Sequence, residues 1–303
     1  MVTETGPQSA AETDGAAAPG RAQARQRESE KLTREAVESL TDEERDQLTD
    51  KARLSAVTIY AIIRREGEEE LSRPASSLWW SGVAAGLAIS ASLLSEAALR
   101  ANLPDTPGRH LIAAWGYCVG FVLVILSRLQ LFTENTITVI LPLLAAPSSS
   151  QLVQTARLWS IVLCANLVGT FVIALMTIHL TPAPPEIVDA MLYLSAEATA
   201  SRGLQAMLYG VPAGFFVAAL VWILPSSKGF EIFSILIITY IIAISGSTHV
   251  IVGSVEVFLL VLNGDIGALD GLGGHLLPVL LGNIIGGSGL FAMLAYGQVH
   301  REL

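Results

Sequence analysis

Five stretches of this chain run without a charged residue for long enough to cross a lipid bilayer. They lie between Arg73 and Glu96, Arg157 and Glu186, Arg202 and Lys228, Glu231 and Glu256, and Asp270 and Arg301. A crossing helix needs about 20 consecutive apolar residues, and each gap can hold one. Strands of a β-barrel would alternate polar and apolar side chains, and these segments do not. The body is therefore expected to be an all-α membrane protein, in which each segment satisfies its own backbone N–H and C=O groups.

Charge is concentrated elsewhere. Residues 1–75 carry 11 Lys+Arg and 16 Asp+Glu, whereas residues 76–303 carry only 7 and 11. That imbalance describes a charged head on an apolar body. Residues 1–40 read as a disordered, charged tail without the apolar core of a signal peptide. Residues 41–75 read as an amphipathic helix on the cytoplasmic face of the body or the membrane surface, and a solvated helix is the alternative. Thr41 and Glu44 have capping-box spacing, and Leu48, Ala52, Ile59 and Ile63 recur at helical intervals. Residues 76–303 are then a six-span domain. The net charge is −9 and no basic tract occurs, so nucleic acid is not an expected partner. Cys118 and Cys164 read as buried small hydrophobes rather than a disulfide or a metal site. No metal and no cofactor is expected.

Spans are expected at about 76–99, 110–145, 152–180, 203–224, 229–263 and 273–298. The second and fifth are too long for one crossing, and each holds a polar interruption: LFTENT at 131–136 and SGSTH at 245–249. They read as broken helices, each made of two half-helices joined at membrane depth. Arg64, Arg65, Arg73, Arg157, Lys228 and Arg301 fall on one side, against Arg100, Arg109 and Arg202 on the other. The basic excess puts both termini in the cytoplasm, as expected of a multi-pass protein of a bacterial inner membrane.

The chain repeats itself. Gly82-Val-Ala-Ala-Gly86 matches Gly210-Val-Pro-Ala-Gly214, and Asn166-Leu-Val-Gly169 matches Asn283-Ile-Ile-Gly286. The polar breaks occupy corresponding spans. Three spans per half is an odd number, so the second half enters the membrane inverted relative to the first. In such 3+3 inverted repeats the site lies near the midplane, where broken helices from the two halves meet. The paired glycines allow close helix contact.

Of the five histidines (His110, His179, His249, His275 and His300), four sit near span ends and His249 lies deep in the fifth-span break. An ionisable group at that depth is a functional candidate, and imidazole is the side chain that most readily exchanges a proton near neutral pH. A half-helix that starts at a break exposes N–H groups and a positive dipole end, which favour an anion. Thr133 and His249 are the side chains expected to meet it, with protonation removing its charge during passage. Arg128 and Glu134 flank the first break. As residues of the solute pathway they are expected to pair with each other, with Glu134 capping the half-helix that follows, and the other reading makes Glu134 a second titrating group or a gate latch. Glu256 is left open, facing either the cytoplasmic vestibule or a neighbouring protomer.

These stretches resemble one family. LFTENT resembles the "LFT" break of formate/nitrite transporters, and SGSTHVIVG their "G-x-x-H" break. ANLVG and GNIIGGSG resemble their third- and sixth-span signatures. The resemblance covers about residues 55–298. It implies an aquaporin-like six-span protomer with its own pore, assembled as a homopentamer, passing formate, nitrite and related small monovalent anions, often with a proton. By resemblance Thr133 is the loop threonine and His249 the central histidine. Phe121 and Ile242 align with the two apolar constriction positions, and Phe132 is counted with them. The chain departs from the family where a lysine near the outer mouth is matched by about Ala198, where a fourth-span asparagine is matched by Gly214, and at Glu134.

Two other readings stand beside this one. A neutral-solute pore for water, ammonia or an undissociated weak acid fits the missing lysine and the acidic Glu134, although no Asn-Pro-Ala motif occurs. A membrane scaffold or sensor would use the charged head. An enzyme is not expected, because no metal-ligand cluster or nucleophile–base pair lies within the spans.

Overall fold

The computed structural model describes residues 27–28, 31–32, 40–41, 53–180 and 183–303. Leu54–Leu303 form one compact unit. The residue pair expected to cap an early helix includes Glu44, which lies outside the described residues, as do Leu48, Ala52 and nearly all of the expected tail.

The first helix of the unit, α1 (Ala56–Ser72), starts where Ser55 accepts a hydrogen bond from the Thr58 N–H at 3.1 Å. Ile59, Ile63, Gly67 and Leu71 recur every four residues and are buried. The opposite face carries Arg64–Glu68 and Arg65–Glu69 ion pairs one turn apart. Over Ala56–Ser72 one face is thus buried and apolar and the other carries exposed charge.

The body follows in chain order as α2 (Ala75–Asn102), α3 (Arg109–Leu126), α4 (Asn135–Ala145), α5 (Ser149–His179), α6 (Pro185–Ala198), α7 (Gly203–Ser226), α8 (Glu231–Ile244), α9 (Val250–Asn263) and α10 (Asp270–Val299). Five of these are long and apolar enough to cross a membrane on their own: α2, α3, α5, α7 and α10. The first break lies between α3 and the shorter α4, and the second between the shorter α8 and α9. Helix α6 was not anticipated as a separate element. Its acidic first turn and its Glu197 keep it below the apolarity of a span.

Helix α2 bends at Ser90, whose hydroxyl donates back to the Gly86 carbonyl at 2.9 Å. Near that bend it packs on α5 with no room for a side chain. A Cβ on Gly86 would collide with the Asn166 carbonyl, and one on Gly214 of α7 would collide with the Asn283 carbonyl of α10. Each half of the chain thus joins its first and third spans by glycine contacts.

Large apolar side chains such as Trp80, Val153, Leu204, Phe233 and Leu294 face outward around the body. Outside a membrane or an assembly so much exposed apolar surface would aggregate. Cys118 is buried as expected, but Cys164 is exposed, which corrects its assignment to the interior. It lies on the outward face of α5, where apolar character does not mean burial within the protein.

Candidate functional site

Helices α3 and α8 end in the same way. The N–H of Leu129 bonds the Val124 carbonyl at 3.0 Å, and that of Ser247 bonds the Ile242 carbonyl at 3.3 Å. Between those partners Arg128 and Gly246 have φ values of 53° and 67°, the left-handed turn that closes a helix.

Beyond the turn, each break is pinned by one buried asparagine. Asn166 of α5 accepts the Phe132 N–H at 2.9 Å and donates to the Gly82 and Gln130 carbonyls, both at 2.8 Å. Asn283 of α10 accepts the Val250 N–H at 2.9 Å and donates to the Gly210 and Thr248 carbonyls at 2.8 and 2.9 Å. These two residues, read with Gly169 and Gly286 as repeat signatures, satisfy backbone that has left its helix inside an apolar body. Gly169 and Gly286 lie one turn on, against the backbones of α2 and α7.

The hydrogen bonds also set the register between the halves. Gln130 stands opposite Thr248 and Phe132 opposite Val250. His249 therefore corresponds to Leu131, and Thr133 to Ile251. The scaffold is matched, whereas the candidate side chains His249 and Thr133 are not.

Those side chains meet. Thr133 Oγ1 lies 2.6 Å from His249 Nε2, and both residues are buried. His249 is the N-cap of α9, and its Nδ1 accepts the Val252 N–H at 3.3 Å. An N–H can only donate, so Nδ1 is the bare nitrogen of a neutral ring and Nε2 carries the proton. Nε2–H then donates to Thr133 Oγ1, which leaves the threonine hydroxyl hydrogen free to point at a third group. Apolar rings close around the pair. The Phe121 ring is edge-on to the imidazole at 5.0 Å between centroids, and Phe132 packs on Trp159 at 5.6 Å. Phe121, Phe132 and Ile242 are all fully buried in one cluster.

Two cavities approach this centre. One, of about 580 Å³, is lined by His249 and Thr248 together with Glu96, Glu197, Ser201 and Glu256. Ala198 lies in the same lining. The other, of about 440 Å³, is lined by Glu66, Glu70, Arg128, Gln130, Glu134 and Glu231, among others. Thr133 is bonded to the wall of the first and is adjacent in the chain to the wall of the second.

Arg128 and Glu134 are not the pair expected. The left-handed turn at Arg128 directs its guanidinium outward to Glu66 of α1, at 3.3 Å, and leaves the side chain 82% exposed. Glu134 makes no cap bond to α4, and its Oε1 has no hydrogen-bond partner. It faces the second cavity instead. Glu256 lines the first cavity, beside Glu96. The contribution of Glu96 and Ser201 was missed, although an isolated carboxylate at the end of an uncharged stretch was a visible signal for Glu96.

Spanning helices, two re-entrant breaks pinned inside them and a buried polar pair between two cavities define a membrane transport protein. The formate/nitrite transporter family matches residues 57–297, and the chain belongs to that family. Its members are channels and transporters, and this protein is not an enzyme. It is 36% identical over 248 residues to the inner membrane protein YfdC of Escherichia coli (strain K12), covering 82% of this chain and 80% of that protein. It is 25% identical over 249 residues to the uncharacterized transporter YrhG of Bacillus subtilis (strain 168), covering 78% and 91%. A solved FNT family ion channel shares the fold with a TM-score of 0.66 at 22% identity, covering 80% of this chain and 98% of that one. A pentameric formate channel with formate bound gives 0.63 at 20% identity, covering 75% and 98%.

Proposed function

We propose that the chain carries a small monovalent weak acid of the formate or nitrite kind between the two cavities, one proton travelling with it. The observation that carries this reading is the 2.6 Å contact between Thr133 and His249 at the centre of the constriction. His249 holds the threonine oxygen and frees its hydroxyl hydrogen for a solute oxygen. The Phe121 ring stands against His249 in a buried apolar cluster, so an unpaired charge would be expensive there and an acid carrying its proton would not. A bare ion crossing Phe121, Phe132 and Ile242 would lose its water without replacement. Family membership and the formate bound to a fold neighbour support the substrate class. That neighbour is described as pentameric, and the outward apolar surface of this chain suits a homopentamer in a lipid bilayer. The name of the Escherichia coli relative supports the bacterial inner membrane, and the basic excess on one side of the spans supports cytoplasmic termini.

The test is flux of formate, nitrite, acetate and hydrosulfide into proteoliposomes across imposed pH gradients. Transport of at least one of them is expected, with strong loss in His249→Ala. Unchanged flux in that variant would remove the histidine from the mechanism.

A further inference from the structure

The loop between α6 and α7, residues 199–202, walls the cavity that reaches His249. Ala200 and Ser201 line that cavity, and Thr199, Ala200 and Arg202 line a third one of about 440 Å³. Ala200 belongs to both linings, so the wall is thin. Two clamps hold it to the start of α10. Arg202 pairs with Asp270 at 3.4 Å in an exposed position. His275, only 1% exposed, places its Nδ1 2.7 Å from the Ser201 carbonyl. A carbonyl can only accept, so Nδ1 carries the hydrogen and Nε2 is bare. Nε2 is buried and has no partner. Among the described residues, the hydrogen bond made by the His275 side chain therefore serves Ser201 alone.

Ser201 is 9% exposed, and its Oγ is buried without a hydrogen-bond partner. Thr248 lines the same cavity and is held in a similar way. Its N–H bonds the Tyr209 carbonyl at 3.1 Å, and its carbonyl accepts from Asn283 at 2.9 Å. Its Oγ1 is also buried without a partner. Both residues are thus fixed through their backbone and keep an unused hydroxyl in one lining. Buried hydroxyls are normally satisfied, and each of these needs only a turn about its Cα–Cβ bond to meet a solute in the cavity.

We propose that Ser201 and Thr248 form an entry subsite for the transported acid in this vestibule, and that His275 is the positioning residue that holds Ser201 there. The inference rests on the transport reading above and adds a place where the solute halts before the constriction. Formate and nitrite carry oxygens that accept hydrogen bonds, and a hydroxyl donates to them whether or not the solute bears a proton. His275 does not touch the solute. It acts through the Ser201 carbonyl.

The experiment measures initial rates of formate uptake against formate concentration, at one fixed pH, in proteoliposomes containing the full chain. Wild-type flux is expected to saturate. Ser201→Ala and Thr248→Val are each expected to raise the half-saturating concentration about three- to tenfold, the worth of one hydrogen bond. The maximal rate, set at the constriction, is expected to change far less. Ser195→Ala is the control. Ser195 Oγ is likewise buried without a partner, but the residue is not part of this lining, and neither constant is expected to move. His275→Leu removes the donor and is expected to raise the half-saturating concentration as Ser201→Ala does, adding nothing when the two are combined. His275→Asn, whose amide N–H stands where Nδ1–H stood, is expected to restore it. A wild-type rate that stays linear in formate would overturn the inference and leave the transport reading standing. So would unchanged half-saturation in folded Ser201→Ala and Thr248→Val. Additive effects of His275→Leu and Ser201→Ala would overturn the positioning role. The wild-type curve and Ser201→Ala decide the matter even if His275→Leu does not fold. Absence of formate flux in wild type would overturn both readings.

Discussion

Thr133 Oγ1 and His249 Nε2 lie 2.6 Å apart although 116 residues of chain separate them. The contact joins the loop after one break to the residue that caps a half-helix after the other. The bare Nδ1 fixes its direction: the imidazole donates, and the threonine hydroxyl keeps a free hydrogen.

That direction distinguishes two substitutions at one position. Thr133→Ser keeps the oxygen and its hydrogen, and formate flux within a few-fold of wild type is expected. Thr133→Val keeps the shape, removes the donor and leaves Nε2–H unpaired. A hydrogen bond of about 1.4 kcal/mol corresponds to a tenfold effect, so a loss of that order or larger is expected in a flux assay. Equal flux in the two variants would show that the hydroxyl is structural.

The two asparagine pins are expected to set the stability of the body. Asn166→Ala removes three buried hydrogen bonds and orphans the Phe132 N–H, and Asn283→Ala does the same to Val250. An unsatisfied buried group costs about 1–3 kcal/mol, so each variant should melt well below wild type in detergent. The drops should be similar, because the bond sets are matched. A large fall for one and none for the other would show that the two breaks are not held alike.

Close packing supplies a sharper comparison. Gly86→Ala and Gly214→Ala each drive a methyl group into an asparagine carbonyl, whereas Gly289→Ala in α10 meets nothing within 4 Å. The first two are expected to lower the yield of folded protein in size-exclusion chromatography, and the third to leave it unchanged. Normal yield for Gly214→Ala would mean that α7 and α10 can separate more readily than their packing implies.

Arg128 occupies the turn that Gly246 occupies in the other half, at a φ of 53°. A left-handed backbone costs a side-chain-bearing residue about 1–2 kcal/mol. Its ion pair with Glu66 is largely exposed, and such pairs contribute about 0–1 kcal/mol. Arg128→Gly is therefore expected to melt no lower than wild type, and Arg128→Val to melt lower. A clear fall in the glycine variant would assign the Glu66 contact more weight than an exposed pair normally carries.

The spans and both breaks were legible in the sequence, because a bilayer demands apolar length and a polar interruption such as LFTENT or SGSTH has no other use at that depth. The paired breaks and the family resemblance placed Thr133 and His249 at one central point, but not the hydrogen bond between them. What was not legible depended on direction. The sign of φ at Arg128 sends its side chain to α1, and no local pattern distinguishes that from a pairing with Glu134. Glu96, Ser201 and Glu256 belong to different parts of the chain, and only the packing brings them to one wall. Motif matching paired the two breaks as equivalent, yet the hydrogen bonds show that the repeat lays Leu131 opposite His249. Repetition in the scaffold does not extend to the chemistry.

The central claim is that the solute passes Thr133 and His249 with one proton and no net charge. Proteoliposomes loaded with a pH-sensitive dye and given an inward formate gradient test this directly, against protein-free vesicles. The account predicts interior acidification by one proton per formate, at a rate unaffected by clamping the membrane potential with potassium and valinomycin. Formate entry without acidification, and accelerated by that clamp, would contradict it.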